Sequence, residues 1–161
     1  MRAARNLLAV LVASTATAAT LPELTGTWLV VDRVERTDYA AFRDLRVAYR
    51  VELRQEGVWL FGSGEKCAEN GRPLRAAERT PISIAGTVSG GAATARWVET
   101  GRRRESEGTF AWRLVADDEA RGGFTSTVAG AAGRSTLVRA DDNPGGCARA
   151  TRATQRARRP R

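Results

Sequence analysis

The sequence predicts an all-β protein: an eight-stranded antiparallel up-and-down barrel with one short helix. Three observations predict it. Apolar and polar residues alternate along most of the chain from Thr25 to Arg139, the signature of strands with one buried face. Gly-, Asp- and Ser-containing turns break the alternation at short intervals, as antiparallel neighbours require. Glycines fall inside the strand patterns, at Gly62, Gly86, Gly108 and Gly122, where a curling sheet crowds its concave face. The same alternation fits a two-sheet sandwich. Closure into a barrel is favoured because it leaves no exposed edge strand.

Thr25 to Val34 supplies the first strand. Thr37 to Leu45 is the helix candidate, with Thr37 as its cap and Tyr39 and Phe42 spaced to share a face. In Val47 to Arg54, the residues Val47, Tyr49, Val51 and Leu53 face one way and Ala48, Arg50, Glu52 and Arg54 the other. Gln55-Glu56-Gly57 turns the chain into a strand from Val58 to Gly64. Both faces of that strand begin apolar, Trp59 and Phe61 against Val58 and Leu60, and the pattern does not choose between them. Cys67 to Pro81 reads as the longest irregular stretch. Four further strands follow, around Ile82–Val88, Ala93–Trp97, Gly108–Leu114 and Gly122–Ser126. Ser135 to Arg139 closes the set.

The two ends read differently from this body. Arg2 and Arg5, then the apolar run Leu7 to Ala13, then Ala16-Thr17-Ala18 make residues 1–19 a signal peptide. The apolar run is too short to span a membrane, which takes about 20 residues. Residues 20–148 form the barrel domain and 149–161 a disordered basic tail carrying six arginines. The protein is therefore expected to be exported, periplasmic or secreted, and soluble. An oxidising compartment favours one disulfide between Cys67 and Cys147, closing a loop of roughly 80 residues.

Composition excludes several functions. The formal net charge is +8, with 26 basic residues, all but one of them arginine. The excess lies in the two ends, and residues 20–148 hold 18 basic and 18 acidic side chains. A neutral body argues against a specific nucleic-acid interface. The basic tail is left as a contact for anionic surfaces or a solubilising extension. Without histidine, imidazole catalysis and histidine metal sites are excluded, and two cysteines alone do not build a metal centre. Glu105 and Glu107 are same-face neighbours with no nucleophile beside them, and Ser106 and Ser126 have no base. The chain is expected to be neither an enzyme nor a cofactor protein.

Leu24-Thr25-Gly26-Thr27-Trp28 resembles the Gly-x-Trp opening of the calycins, which comprise lipocalins, fatty-acid-binding proteins and avidin-like barrels. The resemblance implies a barrel closed at one end by Trp28 on the first strand and Arg139 on the last. Leu29, Val30 and Val31 follow the tryptophan where avidin-like proteins place biotin-holding polar residues, so biotin is not implied. A helix usual after the eighth lipocalin strand is replaced by Asn143-Pro144-Gly145-Gly146 and the basic tail. The same opening is similar to periplasmic inhibitors of secreted metalloproteases, whose leader enters the protease cleft.

Two constellations are candidates for a site. Aromatic residues (Tyr49, Trp59, Trp97, Phe110, Trp112 and Phe124) either line a ligand cavity or fill the barrel. Small inward residues, Gly108, Gly122, Ala93 and Ala95, leave room for a ligand. Glu99, Arg102, Arg103, Arg104, Glu105 and Glu107 gather around one hairpin. They form either an anion clamp at a barrel mouth or a solvated turn with cross-strand charge pairs. The candidate ligand-binding residues are Tyr49, Val51, Trp97, Glu99, Arg103, Phe110 and Trp112. The function expected is a binding module for a small apolar ligand. The alternatives are a protein-interaction barrel, such as a protease inhibitor using residues 20–25, and an envelope protein without ligand.

Overall fold

Alternation becomes a closed ring of strands in the computed structural model, which describes residues 23–140, 146–149 and 152. The strands are β1 (Gly26–Arg36), β2 (Arg46–Glu56), β3 (Trp59–Glu69), β4 (Arg72–Pro73), β5 (Pro81–Ser89), β6 (Ala92–Thr100), β7 (Glu105–Ala116), β8 (Glu119–Ser126) and β9 (Ala132–Arg139). Each long strand pairs antiparallel with its chain neighbours, and β1 pairs with β9 to shut the ring. The result is an eight-stranded up-and-down barrel to which the two-residue β4 is appended. No sandwich is formed.

Register follows the buried faces. Val47, Tyr49, Val51 and Leu53 of β2 all enter the core. On β3 the inward residue is Leu60, while Trp59 and Phe61 stand outside, 58% and 46% exposed. Trp59 is thereby removed from the aromatic residues that face the interior. The stretch from Cys67 is more ordered than its composition implies. β3 runs on to Glu69, and Asn70 and Gly71, both at positive φ, turn it back into β4. The short helix is a single 3-10 turn, Ala40–Phe42. It extends no further because its residues are all unburied and Arg43, at ψ 132°, has already left the helical region. Tyr39 and Phe42 do share a face, ring edge to ring face at 4.9 Å.

One end is sealed by the Gly-x-Trp segment. The Trp28 indole N–H donates to the Leu24 carbonyl at 2.7 Å, and both residues are fully buried. The Arg139 guanidinium lies 4.5 Å from the Trp28 ring centroid and donates to the carbonyls of Thr25 and Glu23. Gly26 is required here: its φ is 128°, and a Cβ would lie 2.8 Å from Arg139 Nη1. A double-mutant cycle of Trp28→Phe and Arg139→Met is expected to show coupling of about 0.5–2 kcal/mol. Additive effects in chemical denaturation would mean that the stacked pair contributes nothing to closure.

The outer face of β1 is also apolar, because it too is covered. Leu29 and Val31 pack with Ala48, Cys67 and Ala68 against Cys147 and Ala148. Residues 146–149 are helical, so a helical turn does follow the last strand, where the Pro-Gly-Gly stretch was read as replacing one. Cys67 and Cys147 form a disulfide with Cα atoms 5.9 Å apart. Arg152 lies against Gly71. The expected signal peptide, residues 1–19, and the rest of the expected tail lie outside the described residues.

Candidate functional site

The barrel is filled at one end and hollow at the other. Trp97, Phe110 and Trp112 form a ladder, with ring centroids 5.8 Å and then 4.5 Å apart. Strand pairing explains how they fit. Trp97 faces Gly108, Phe110 faces Ala95 and Trp112 faces both Ala93 and Gly122. A Cβ on Gly108 would lie 2.8 Å from the Trp97 ring. The small residues therefore make space for aromatic side chains rather than for a ligand. With Leu24, Trp28, Val51, Leu53, Leu60 and Leu137, these rings pack the sealed half solid.

Beyond Trp97 the lining includes the small residues Ser106, Ser126 and Ala131, which leave space between the walls. A cavity of about 570 Å³ remains. Val34, Phe42, Leu45, Val47, Trp97 and Phe124 form its apolar wall. The 3-10 turn contributes Phe42 at the mouth, and the β6–β7 loop contributes Arg102, Arg103 and Arg104, all exposed.

Polar groups converge in this hollow from four strands and a loop. Tyr49 on β2 donates its hydroxyl to Glu99 Oε2 on β6 at 2.8 Å. Thr80, just before β5, donates to Glu99 Oε1. Lys66 Nζ on β3 stands 3.6 Å from Glu99 Oε1 and 3.5 Å from Glu69. Burial, and then the Glu99 charge, push the Tyr49 phenol well above its usual range. Asp32 on β1 has no such set of partners. Burial pushes its carboxyl up to about 7, the Ser135 hydrogen bond opposes the rise, and Glu99 adds to it. Ser135 in turn accepts the Trp112 indole N–H at 2.8 Å. Among the described residues nothing hydrogen-bonds to the buried Asp32 Oδ1 or Trp97 Nε1.

Of the residues chosen from sequence, Tyr49, Trp97, Glu99 and Arg103 line the cavity. Val51, Phe110 and Trp112 do not; they lie in the packed half. Glu107 leaves the proposed charge cluster altogether and pairs on the outer wall with Arg96 at 3.2 Å. Asp32, Lys66, Thr80 and Phe42 were missed. Asp32 falls on the inward phase of Trp28, Val30 and Val34, and Lys66 is the chain's only lysine; both signals were readable. Among the described residues no three His, Cys, Asp or Glu side chains group to hold a metal ion.

No family model and no curated protein matches the chain. Two solved structures resemble it. A redesigned beta barrel, mFAP1, bound to DFHBI, is 13% identical with a TM-score of 0.53, covering 72% of this chain and 94% of its own. A second redesigned beta barrel, b11L5F_LGL, is also 13% identical at TM-score 0.53, covering 73% and 92%. At that identity the likeness is one of fold: a small closed barrel with its strands in this arrangement.

Proposed function

We propose that the protein is an exported, non-enzymatic binding module that takes a small, largely apolar molecule through the open end of the barrel. The half-hollow interior carries this reading. A cavity of about 570 Å³ is the size of ordinary small-molecule sites. Its apolar wall supplies affinity, and the few convergent polar groups orient what enters. The redesigned barrel bound to DFHBI supports it to the extent that a barrel of this fold holds a small molecule. The disulfide fits an oxidising compartment. The protease-inhibitor alternative loses support because Glu23 to Thr25 are built into the sealed end. Leu24 is fully buried, and the Glu23 and Thr25 carbonyls are held by Arg139.

Titration with the neutral fluorescent probe N-phenyl-1-naphthylamine tests the site. Saturable binding of one probe per chain is expected, reduced at least about tenfold by Val34→Trp, which fills the hollow. The bare outer pair is the control: Trp59→Ser with Phe61→Ser should leave binding intact. Loss of binding in the outer variant and retention in the filled one would place the probe on the wall and defeat the proposal.

A further inference from the structure

We propose that Asp32 anchors a cationic head group, so that the cavity takes a hydrophobic amine: a small apolar body carrying a protonated nitrogen. This rests on the reading of the hollow as a ligand site and names its ligand class. Asp32 is only 5% exposed, lines the cavity, and has Ser135 as its hydrogen-bond partner, with Oδ1 unpaired among the described residues. A buried carboxyl without a counter-ion destabilises a fold, and such a group calls for an explanation outside packing.

The charges around it show what is missing. Facing Asp32 are Tyr49 from β2, Lys66 from β3 and Glu99 from β6; β7, β8 and β9 present Trp112, Phe124 and Ser135, none of them charged. Glu99 has its oxygens occupied by Tyr49, Thr80 and Lys66, and Glu69 shares the same lysine. Among the described residues Lys66, the one lining cation inside the mouth arginines, thus serves two of the three cavity carboxyls, and Asp32 is the one left over. A bound ammonium supplies the second cation. Tyr49, Trp97 and Phe124 offer the aromatic surroundings that a cation favours. An anionic head reaching this depth would meet Asp32 and Glu99. The mouth arginines stand in water, where salt screens them.

The linkage has a definite sign. An ammonium favours ionised Asp32, whose carboxyl otherwise holds its proton up to about pH 7. Amine affinity therefore rises with pH through that range and binding releases a proton, while a neutral ligand of equal length is indifferent.

Calorimetry of the purified protein with octylamine, 1-octanol and octanoate tests this, at about pH 5.5 and about pH 8, where an alkylammonium stays charged. At the higher pH octylamine should bind about ten- to a hundredfold more tightly than octanol, with octanoate weakest. At the lower pH that advantage should shrink. In Asp32→Asn the octylamine-to-octanol ratio should fall to about one. Proton release by the unmodified protein, read in buffers of different ionisation enthalpy, carries the test if the variant does not fold. Equal binding of amine and alcohol would overturn the anchor and leave the cavity reading standing. Tightest binding of octanoate would move the anchor to Arg102–Arg104. Binding of none of the three would end both.

Discussion

Replacing both Cys67 and Cys147 by serine is expected to lower the unfolding free energy by about 4 kcal/mol. The pair spans 80 residues, so its loss frees a large loop in the unfolded chain. The folded state is affected too. The disulfide also holds the 146–149 turn over Leu29, Val31 and Ala48. Urea unfolding of the variant against the oxidised protein measures the effect. A difference under about 1 kcal/mol would mean that the turn stays docked unaided and the unfolded chain is already compact.

Asp32→Asn is expected to change how stability depends on pH. The folded protein keeps a proton on Asp32 up to about pH 7, whereas the unfolded chain releases it near the usual 3.8. Between those values the folded state binds more protons, so raising the pH favours unfolding. The stability associated with this group is complete below about pH 4 and lost by about pH 7, a change of roughly 4 kcal/mol. Glu78, pulled down to about 2 by the Arg75 backbone and the Arg72 and Arg75 side chains, acts in the opposite direction and at lower pH. Subtracting the variant's profile from that of the unmodified protein isolates Asp32. The difference should grow steadily from about pH 4 to about pH 7 in the variant's favour. Parallel profiles would show that Asp32 is ionised normally in the folded barrel.

The strand order was legible because period-two alternation survives wherever one face of a strand is wet. It failed where that condition failed. On β1 the outward Leu29 and Val31 are apolar because residues 146–149 cover them, and this masked the inward phase that carries Asp32. On β3 the outward Trp59 and Phe61 are bare, so hydrophobicity pointed both ways. Tyr49 and Glu99 were both recognised as site residues, but their mutual hydrogen bond joins strands 50 positions apart, which no local pattern encodes. Phe110 and Trp112 were misplaced for a related reason. Composition shows that aromatic and small residues coexist, and only the β6–β7–β8 register shows that each fills the other's space. Thr80, in the stretch that reads as irregular in sequence, holds the hydroxyl that buttresses Glu99.

The pairing of β1 with β9 also governs when the molecule can come into being. Synthesis delivers Trp28 more than a hundred residues before Arg139, so the first strand waits for its second neighbour until every other strand of the barrel exists. The Cys67–Cys147 bond has the same timing, since its second thiol is made after the last strand. Until then β1 offers an unpaired edge and uncovered apolar residues on its outer side, which invite pairing with other chains. High contact order of this kind slows folding. A nascent chain of this protein therefore gains little from folding before β9 and Cys147 emerge; the ring, its seal and its outer cover form together once they do.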